Sequence, residues 1–546
     1  MLKIIIYQSL IIFTFSHASL ISPQNGELFK FTHILFEWEQ VPSALHYNLQ
    51  VSNTELFDDI ILDIYEETTI YIEKNLLEWG NNYFWRLKTI FPSGIESDWS
   101  GVNNFQIDEN FYLDVTIDTY NNQNLENSLI MFSGFTNFSS FVIDKNGNQI
   151  CEIPEFFMNH IDKNGRIYGM LGAMHWNIGG RKTFYNQTLW NSPDNLEIDP
   201  HEIKQIPNGN FMSFVPEYQL GPIPIGAWTQ DFQNLGYIAD GVTNEFLWAG
   251  LKIVELDKHN QNEVWNWNPF EYFSMNDFYE PVWYETISSP AFDWMHSNSF
   301  YFDEMNSEIY TSNRHLSRIS KIDYPSGEII WNMGLPSLFN TGEQNICTEL
   351  LFSYQHNIQL IENGDLLFFD NGNLNTLLSD ENNPVSRVRR IKVIENRFCD
   401  TIWQFNLPES LYGSAWGSVQ LLENGNYLIY TRGDGLGTIQ PTILEVGSDS
   451  SVIWKMESND PNVQWYRAYA IPGIHPNAFS TIVQNFHNLE INGANNNFIL
   501  NDNVTQNISF KIFNKSNYSQ SYVYLLRDLN QFETYSDTIY IQANNN

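Results

Sequence analysis

Three cysteines in 546 residues are too few to staple a chain of this length, so burial must supply its stability. The three (Cys151, Cys347 and Cys399) permit one disulfide and leave one thiol over. No Cys-x-x-Cys pair occurs, which argues against a thiolate zinc site. Basic residues are also scarce: 27 Lys and Arg face 64 Asp and Glu, for a formal net charge of −37. Nucleic acid needs clustered cations and is not an expected partner. An anionic ligand must find its own local positive groups against that background. No GxxxxGK[ST] loop, no GxGxxG after a strand, no GxSxG elbow and no HExxH pair is present. These absences leave no bound cofactor and no metal in the expected chemistry.

Long apolar runs are missing as well. The one candidate, Ile4–Phe15 in MLKIIIYQSLIIFTFSHAS, is too short for a bilayer and ends at a small-x-small site. Residues 1–18 therefore read as a secretory signal cut after Ala18. The mature chain is expected to be exported, periplasmic or extracellular, with no membrane span.

What the sequence has in quantity is aromatic residues, 15%, set in short runs separated by Asn-Gly and Asp turns. That pattern predicts an all-β protein. Residues 19–108 read as a fibronectin type III-like β-sandwich, pinned by Trp38, Tyr47, Tyr83, Trp85 and Trp99. Residues 109–472 carry an internal repeat. HEIKQIPNGNFMSFV, HSNSFYFDEMNSEIYTSNRH, HNIQLIENGDLLFFDNGN and SVQLLENGNYLIYTRGDG each open a unit that closes on a tryptophan: Trp265, Trp331, Trp403 or Trp454. Each unit reads as four antiparallel strands, the signature of a β-propeller blade, with about six blades in all. SSFVIDKNGNQICEI and HIDKNGRIYGMLGAMHWN look like weaker copies, and YRAYAI at 466–471 could close the ring. Residues 473–546 predict a small β-rich tail.

Antiparallel strands decide which residues meet. The start of strand one, the end of strand two and the start of strand three share one end of a blade. That rule places His201, His296 and His356, then Arg314 and His315, then Arg387, around one mouth of a central channel. Asn371, Asn373, Arg432 and Asp434 fall at the same end. Histidine can serve there as base, acid or nucleophile, and arginine as a planar fork for an oxyanion.

The stretches DWMHSNSFYFD, SNRH, ISKIDYPSGEIIWNMG, FSYQHNIQLIENGDLLFFDNGN, SRVRRIKVIE, GSVQLLENGNYLIY and YRAY, in that order, resemble the arylsulfotransferase family of exported bacterial β-propeller enzymes. The resemblance covers roughly residues 150–472. It implies transfer of a sulfuryl group from an aryl sulfate to a phenol, without a nucleotide sulfate donor. It assigns the chemistry to His296, His356, Arg387, Arg314 and His315. In the best-studied members a covalently sulfated histidine follows strand two of the blade equivalent to SVQLLENGNYLIYTRGDG. Thr431-Arg432-Gly433-Asp434 stands there in this chain. Those members also carry an arginine after the DNG of the preceding blade, where DNGNLNTLL has none, and a short two-cysteine loop, of which this chain keeps Cys347. The competing expectation is a non-catalytic secreted binding propeller that has lost the covalent histidine.

Overall fold

The computed structural model describes residues 18–545 apart from 111–112, 136–137, 173–176, 336–344, 380, 436, 487–490, 496, 501–506 and 528–533. The expected signal segment falls on residues 1–17, outside the described residues. The fold is all-β, and among the described residues no helix is long and apolar enough to cross a membrane. The chain divides into two compact units, one of residues 1–110 with 473–546, the other of residues 111–472.

In the first unit a three-stranded sheet (Leu20–Ser22, Ile34–Trp38, Ile70–Glu73) packs on a five-stranded one. The latter runs Glu27–Phe29, Asn103–Ile107, Asn82–Ile90, His46–Ser52, Ile60–Glu66 across the sheet. Alternation along Asn82–Ile90 turns Tyr83, Trp85 and Leu87 inward, where Phe36 meets Trp85 and Phe105 edge-on. Trp38, Tyr47, Tyr83 and Trp85 are buried, as expected of core residues. Trp99 is not: it lies half-buried beneath the cations of Arg86 and Lys88, at 4.2 and 4.5 Å. An indole face can be covered by a cation as well as by a core. The C-terminal segment joins this unit. Val483 exchanges two hydrogen bonds with the Gln40 side chain, and the Ser480 hydroxyl meets Thr69.

Among the described residues the second unit holds six sheets, four of four strands and two of five, each built on four antiparallel strands. Sheet 1 comprises Leu129–Gly134, Ser139–Ile143 and Gln149–Ile153, completed by the chain's later strand Trp465–Ile471. Sheet 2 spans Phe156–Ile161 to Thr188–Asn191, and sheet 3 spans Ile203–Gln205 to Glu263–Trp267. Sheet 4 spans Ser297–Asp303 to Ile329–Gly334, sheet 5 His356–Leu360 to Phe398–Asn406, and sheet 6 Ser418–Leu421 to Val452–Ser458. Val115–Thr119 adds a fifth strand to sheet 6. Strands such as Leu366–Asp370 and Tyr427–Thr431 are buried at every position because both faces of their sheets are covered.

The repeated tryptophans tie sheet 3 to 4, 4 to 5, 5 to 6 and 6 to 1. The indole N–H of Trp265 donates to the Pro325 carbonyl in sheet 4. Trp331 donates to Asn396 in sheet 5, Trp403 to the Ser448 carbonyl in sheet 6, and Trp454 to the Lys145 carbonyl in sheet 1. In each case the acceptor lies in a turn that joins two strands of its sheet. The last of these bonds returns from sheet 6 to sheet 1, where Lys145 also pairs with Glu445 at 2.7 Å. The Asn-Gly turns at Gly165, Gly209, Gly364 and Gly425 all take positive φ, which a β-carbon would strain. Cys347 and Cys399 form a disulfide, and Cys151 is a buried thiol.

Candidate functional site

The hairpin of sheet 4 carries the centre of the site. Phe292–Asp293 pairs as a short parallel strand with Trp248–Ala249 of sheet 3. Trp294 and Met295 then plunge fully into an aromatic core that includes Trp228, Trp248 and Trp283. The chain therefore arrives at His296 fixed from behind. The Arg314 amide donates to the His296 carbonyl and the His315 amide to the Met295 carbonyl, at 3.2 and 3.0 Å. These two bonds staple the start of the first strand to the end of the second.

The staple brings the rings together. His296 and His315 have ring centroids 4.8 Å apart, and His201 from sheet 3 lies 5.1 Å from His296. Each ring is oriented by a partner. His296 Nδ1 is 2.5 Å from Asp293 Oδ2, and His201 Nδ1 is 2.7 Å from Asp199 Oδ1. With Nδ1 committed to a carboxylate, Nε2 is the atom left for chemistry. Burial disfavours ionisation of Asp293, but His296, His315 and Arg314 outweigh it and hold its carboxyl well below the usual range.

His315 is engaged on both sides. Its Nδ1 donates to the Asp293 carbonyl at 2.8 Å, and its Nε2 accepts from Arg314 Nη1 at 2.6 Å. Burial pushes its pKa down to about 3, with Asp293 opposing and the neighbouring His296 and Arg314 adding to the fall. The ring is thus a neutral link between Arg314 and the Asp293 backbone. Arg314 lies 4.4 Å over the Tyr354 ring and donates to the Ser414 carbonyl.

His356 opens sheet 5 and is buried. Its Nδ1 is 2.7 Å from Asn371 Oδ1. The Asn371 amide group donates to the carbonyls of Gly413 and Trp416, which fixes its oxygen toward the histidine. His356 therefore carries its proton on Nδ1 and presents a bare Nε2. Burial, then the nearby Arg314, keep it neutral far below its ordinary titration range. Arg387 opens the third strand opposite Asp370, at the same end of sheet 5. Its guanidinium is taken by Glu381 and the Val385 carbonyl, not by a histidine. Arg389 and Arg390 are likewise closed by Asp370 and Asp365.

Two features of this region were not foreseen from the sequence. His296, Ser317, Tyr354, Asn357 and Trp416 all adopt positive φ, a conformation that costs a non-glycine residue of order 1 kcal/mol and gathers where surrounding structure enforces it. Beneath the histidines, fully buried Arg467 binds Glu202 at 2.8 Å together with the carbonyls of Asn159 and Asn298. One guanidinium from sheet 1 so reaches groups at sheets 2, 3 and 4. The nearest sequence signal for Asp293 is its place three residues before His296 in DWMH; Arg467 lies in YRAY, which marks ring closure and the resemblance but carries no role for the arginine.

Asp293, His296 and His315 offer ligand atoms within 4.8 Å of one another. Both His315 nitrogens are committed, however, and one accepts from a cation, so the trio does not present three lone pairs to a metal.

Among curated proteins none is a significant sequence match. An Fn3-like protein from Clostridium thermocellum is 16% identical over 18% of this chain and 99% of its own, with a TM-score of 0.15. Hsv2 of Kluyveromyces lactis is 8% identical over 84% and 100%, at 0.28. The extracellular domain of a putative hybrid two component system, BT3049, from B. thetaiotaomicron is 14% identical over 96% and 68%, at 0.26. All three scores lie far below 0.5, and nothing about this chain follows from them. The family model for arylsulfotransferase (ASST) matches residues 249–467, the stretch that supplies Asp293, His296, Arg314, His315 and His356. By that match residues 249–467 are similar to the arylsulfotransferase family.

Proposed function

We propose that the six sheets of the second unit are the blades of a β-propeller, and that its histidine-lined mouth moves a sulfuryl group from an aryl sulfate to a phenol. The observation that carries this reading is His356, a neutral imidazole whose Asn371 partner fixes the proton on Nδ1 and leaves Nε2 bare. In the first step Nε2 attacks sulfur, the S–N bond forms and the sulfur–oxygen bond to the donor aryl group breaks. The departing phenolate takes a proton from His296, held in place by Asp293. In the second step His296 removes the proton of the acceptor phenol, whose oxygen attacks sulfur as the S–N bond breaks. Arg314 faces the developing charge on the sulfuryl oxygens, and His315 steadies Arg314. Arg387 enters this scheme only if substrate draws it from Glu381. The scheme calls on no nucleotide sulfate, metal or other cofactor.

We infer further that the first unit is a fibronectin type III-like arm and that the apolar N-terminal segment directs export. The chemical reading is tested by incubating the full chain with an aryl sulfate and following intact mass. An adduct of one sulfuryl group, mapped to His356 and lost on adding phenol, is the expected result. Adduct formation and turnover unchanged in His356→Ala and His296→Ala would refute the roles assigned to these two histidines.

A further inference from the structure

Arg432 directly follows the second strand of sheet 6, the position that Arg314 takes in sheet 4 and Asn371 in sheet 5. Its guanidinium lies 4.7 Å over the Trp416 ring. Phe135 stacks on the same indole at 4.9 Å, so Trp416 is a fixed platform. Over that platform, the guanidinium donates no side-chain hydrogen bond to any described residue, and its buried Nε has no partner. The nearest carboxylate, Asp434, stands 3.7 Å away. Asp434 spends its oxygens on the Ser414 amide and hydroxyl, at 2.8 and 2.5 Å. It balances charge without occupying the fork.

That state is unusual for a group only 23% exposed. Buried donors are normally satisfied, because an unpaired one loses water without replacement. The contrast within the same unit is sharp. Arg318, Arg387, Arg389 and Arg467 each bind a carboxylate at hydrogen-bond distance. Arg432 is oriented by an aromatic face, which holds the plane of a guanidinium while leaving its edge N–H groups open.

The segment Gly413–Trp416 sets what this edge is near. Ser414 accepts from Arg314 Nη2 and Asn373 Nδ2 through its carbonyl, and Trp416 accepts from Asn371, the partner of His356. Two arginines stacked on aromatic rings, and the amide that orients His356, are therefore tied to one stretch of four residues.

We propose that Arg432 is an oxyanion-binding residue of this mouth, taking two oxygens of a tetrahedral anion, the sulfuryl group of a sulfate monoester or free sulfate, across from Arg314. The assignment rests on the sulfuryl-transfer reading for its substrate but not for its geometry. A bidentate hold on the anion fits transfer through His356 on the adjacent sheet.

The test is equilibrium titration of the full chain with inorganic sulfate, alongside turnover of an aryl sulfate. Arg432→Gln is expected to weaken sulfate binding at least tenfold and to raise KM for the donor more than it lowers kcat. Arg432→Lys, which keeps the charge but not the fork, should fall between it and the wild type and decides the matter if the glutamine variant does not fold. Arg166→Gln, at an exposed surface arginine, should match the wild type. Sulfate affinity unchanged by both Arg432 variants, or no sulfate binding by the wild-type chain, overturns the proposal. Sulfate binding that depends on Arg432 in a chain without turnover keeps it and sinks the sulfotransfer reading; turnover with an unaltered donor KM in both variants does the reverse.

Discussion

His315 ties acid stability to the site. In the native state its pKa falls from 6.5 to about 3, chiefly through burial. In the unfolded chain the ring takes up a proton below about 6.5. Between those two values the unfolded state binds the extra proton, so stability falls as the pH drops below 6.5, and above 6.5 the group contributes no slope. The ring is 8% exposed, so little screening reduces the effect. Each pH unit within the window is worth about 1.4 kcal/mol, so at pH 4.5 the cost is about 2.7 kcal/mol. His315→Asn removes the titration while keeping a donor for the Asp293 carbonyl. The variant loses packing at every pH, so the informative quantity is the change between pH 7 and pH 4.5. Urea unfolding followed by tryptophan fluorescence should show the wild type losing about 2 to 3 kcal/mol more than the variant over that interval. Equal losses in the two proteins would mean that His315 is not held neutral, and the network through Arg314 would have to be redrawn.

Three further outcomes are expected. Glu202→Gln leaves the buried Arg467 without its countercharge and should cost about 3 to 5 kcal/mol in denaturant unfolding; a loss under 1 kcal/mol would mean that the carbonyls of Asn159 and Asn298 suffice. Cys347→Ser opens a disulfide spanning 52 residues and should lower stability by about 4 kcal/mol on loop entropy, an effect that reductant reproduces on the wild type but not on the variant. Asp293→Asn frees His296 Nδ1 and should lower kcat for sulfuryl transfer about a hundredfold, with a smaller change in donor KM. A rise in KM alone would make Asp293 a binding group instead.

The strands were legible because their cues are local. Asn-Gly turns and alternating aromatics mark hairpins whatever lies next to them, and the spacing from His296 to His315 follows from one hairpin. The repeated tryptophans could be seen in the sequence, but not their use, since each indole bonds a turn some 45 to 65 residues onward, or back across the chain to Lys145. Partners held by side-chain geometry were equally hidden. Arg387 sits at the strand end that its position implies, yet a loop carboxylate closes its fork. Trp99 carries the composition of a core residue and lies under two cations. The turns of Thr229–Asn234 and Glu280–Thr286 are too short for a helical period to show, and they still assemble the aromatic wall behind His296.

The arginines decide which ligand the proposed mouth can attract. In a chain of net charge −37, most cations in this unit are cancelled where they stand. Arg318, Arg387, Arg389, Arg390 and Arg467 each have a carboxylate within 2.9 Å. Arg314 has none within ion-pair distance among the described residues. Its contacts are a neutral imidazole, a carbonyl and the Tyr354 ring. A divalent cation on the Asp293–His296–His315 trio would be repelled by the guanidinium bonded to His315, by about 7 kcal/mol for charges about 5 Å apart at an effective dielectric of about 20. A sulfate ester meets an attraction there, and it brings the acceptors that the arginine lacks. The sign of the uncancelled charge therefore separates anion chemistry from metal chemistry before any turnover is measured, and low ionic strength should tighten sulfate binding at this mouth while leaving neutral phenol binding unchanged.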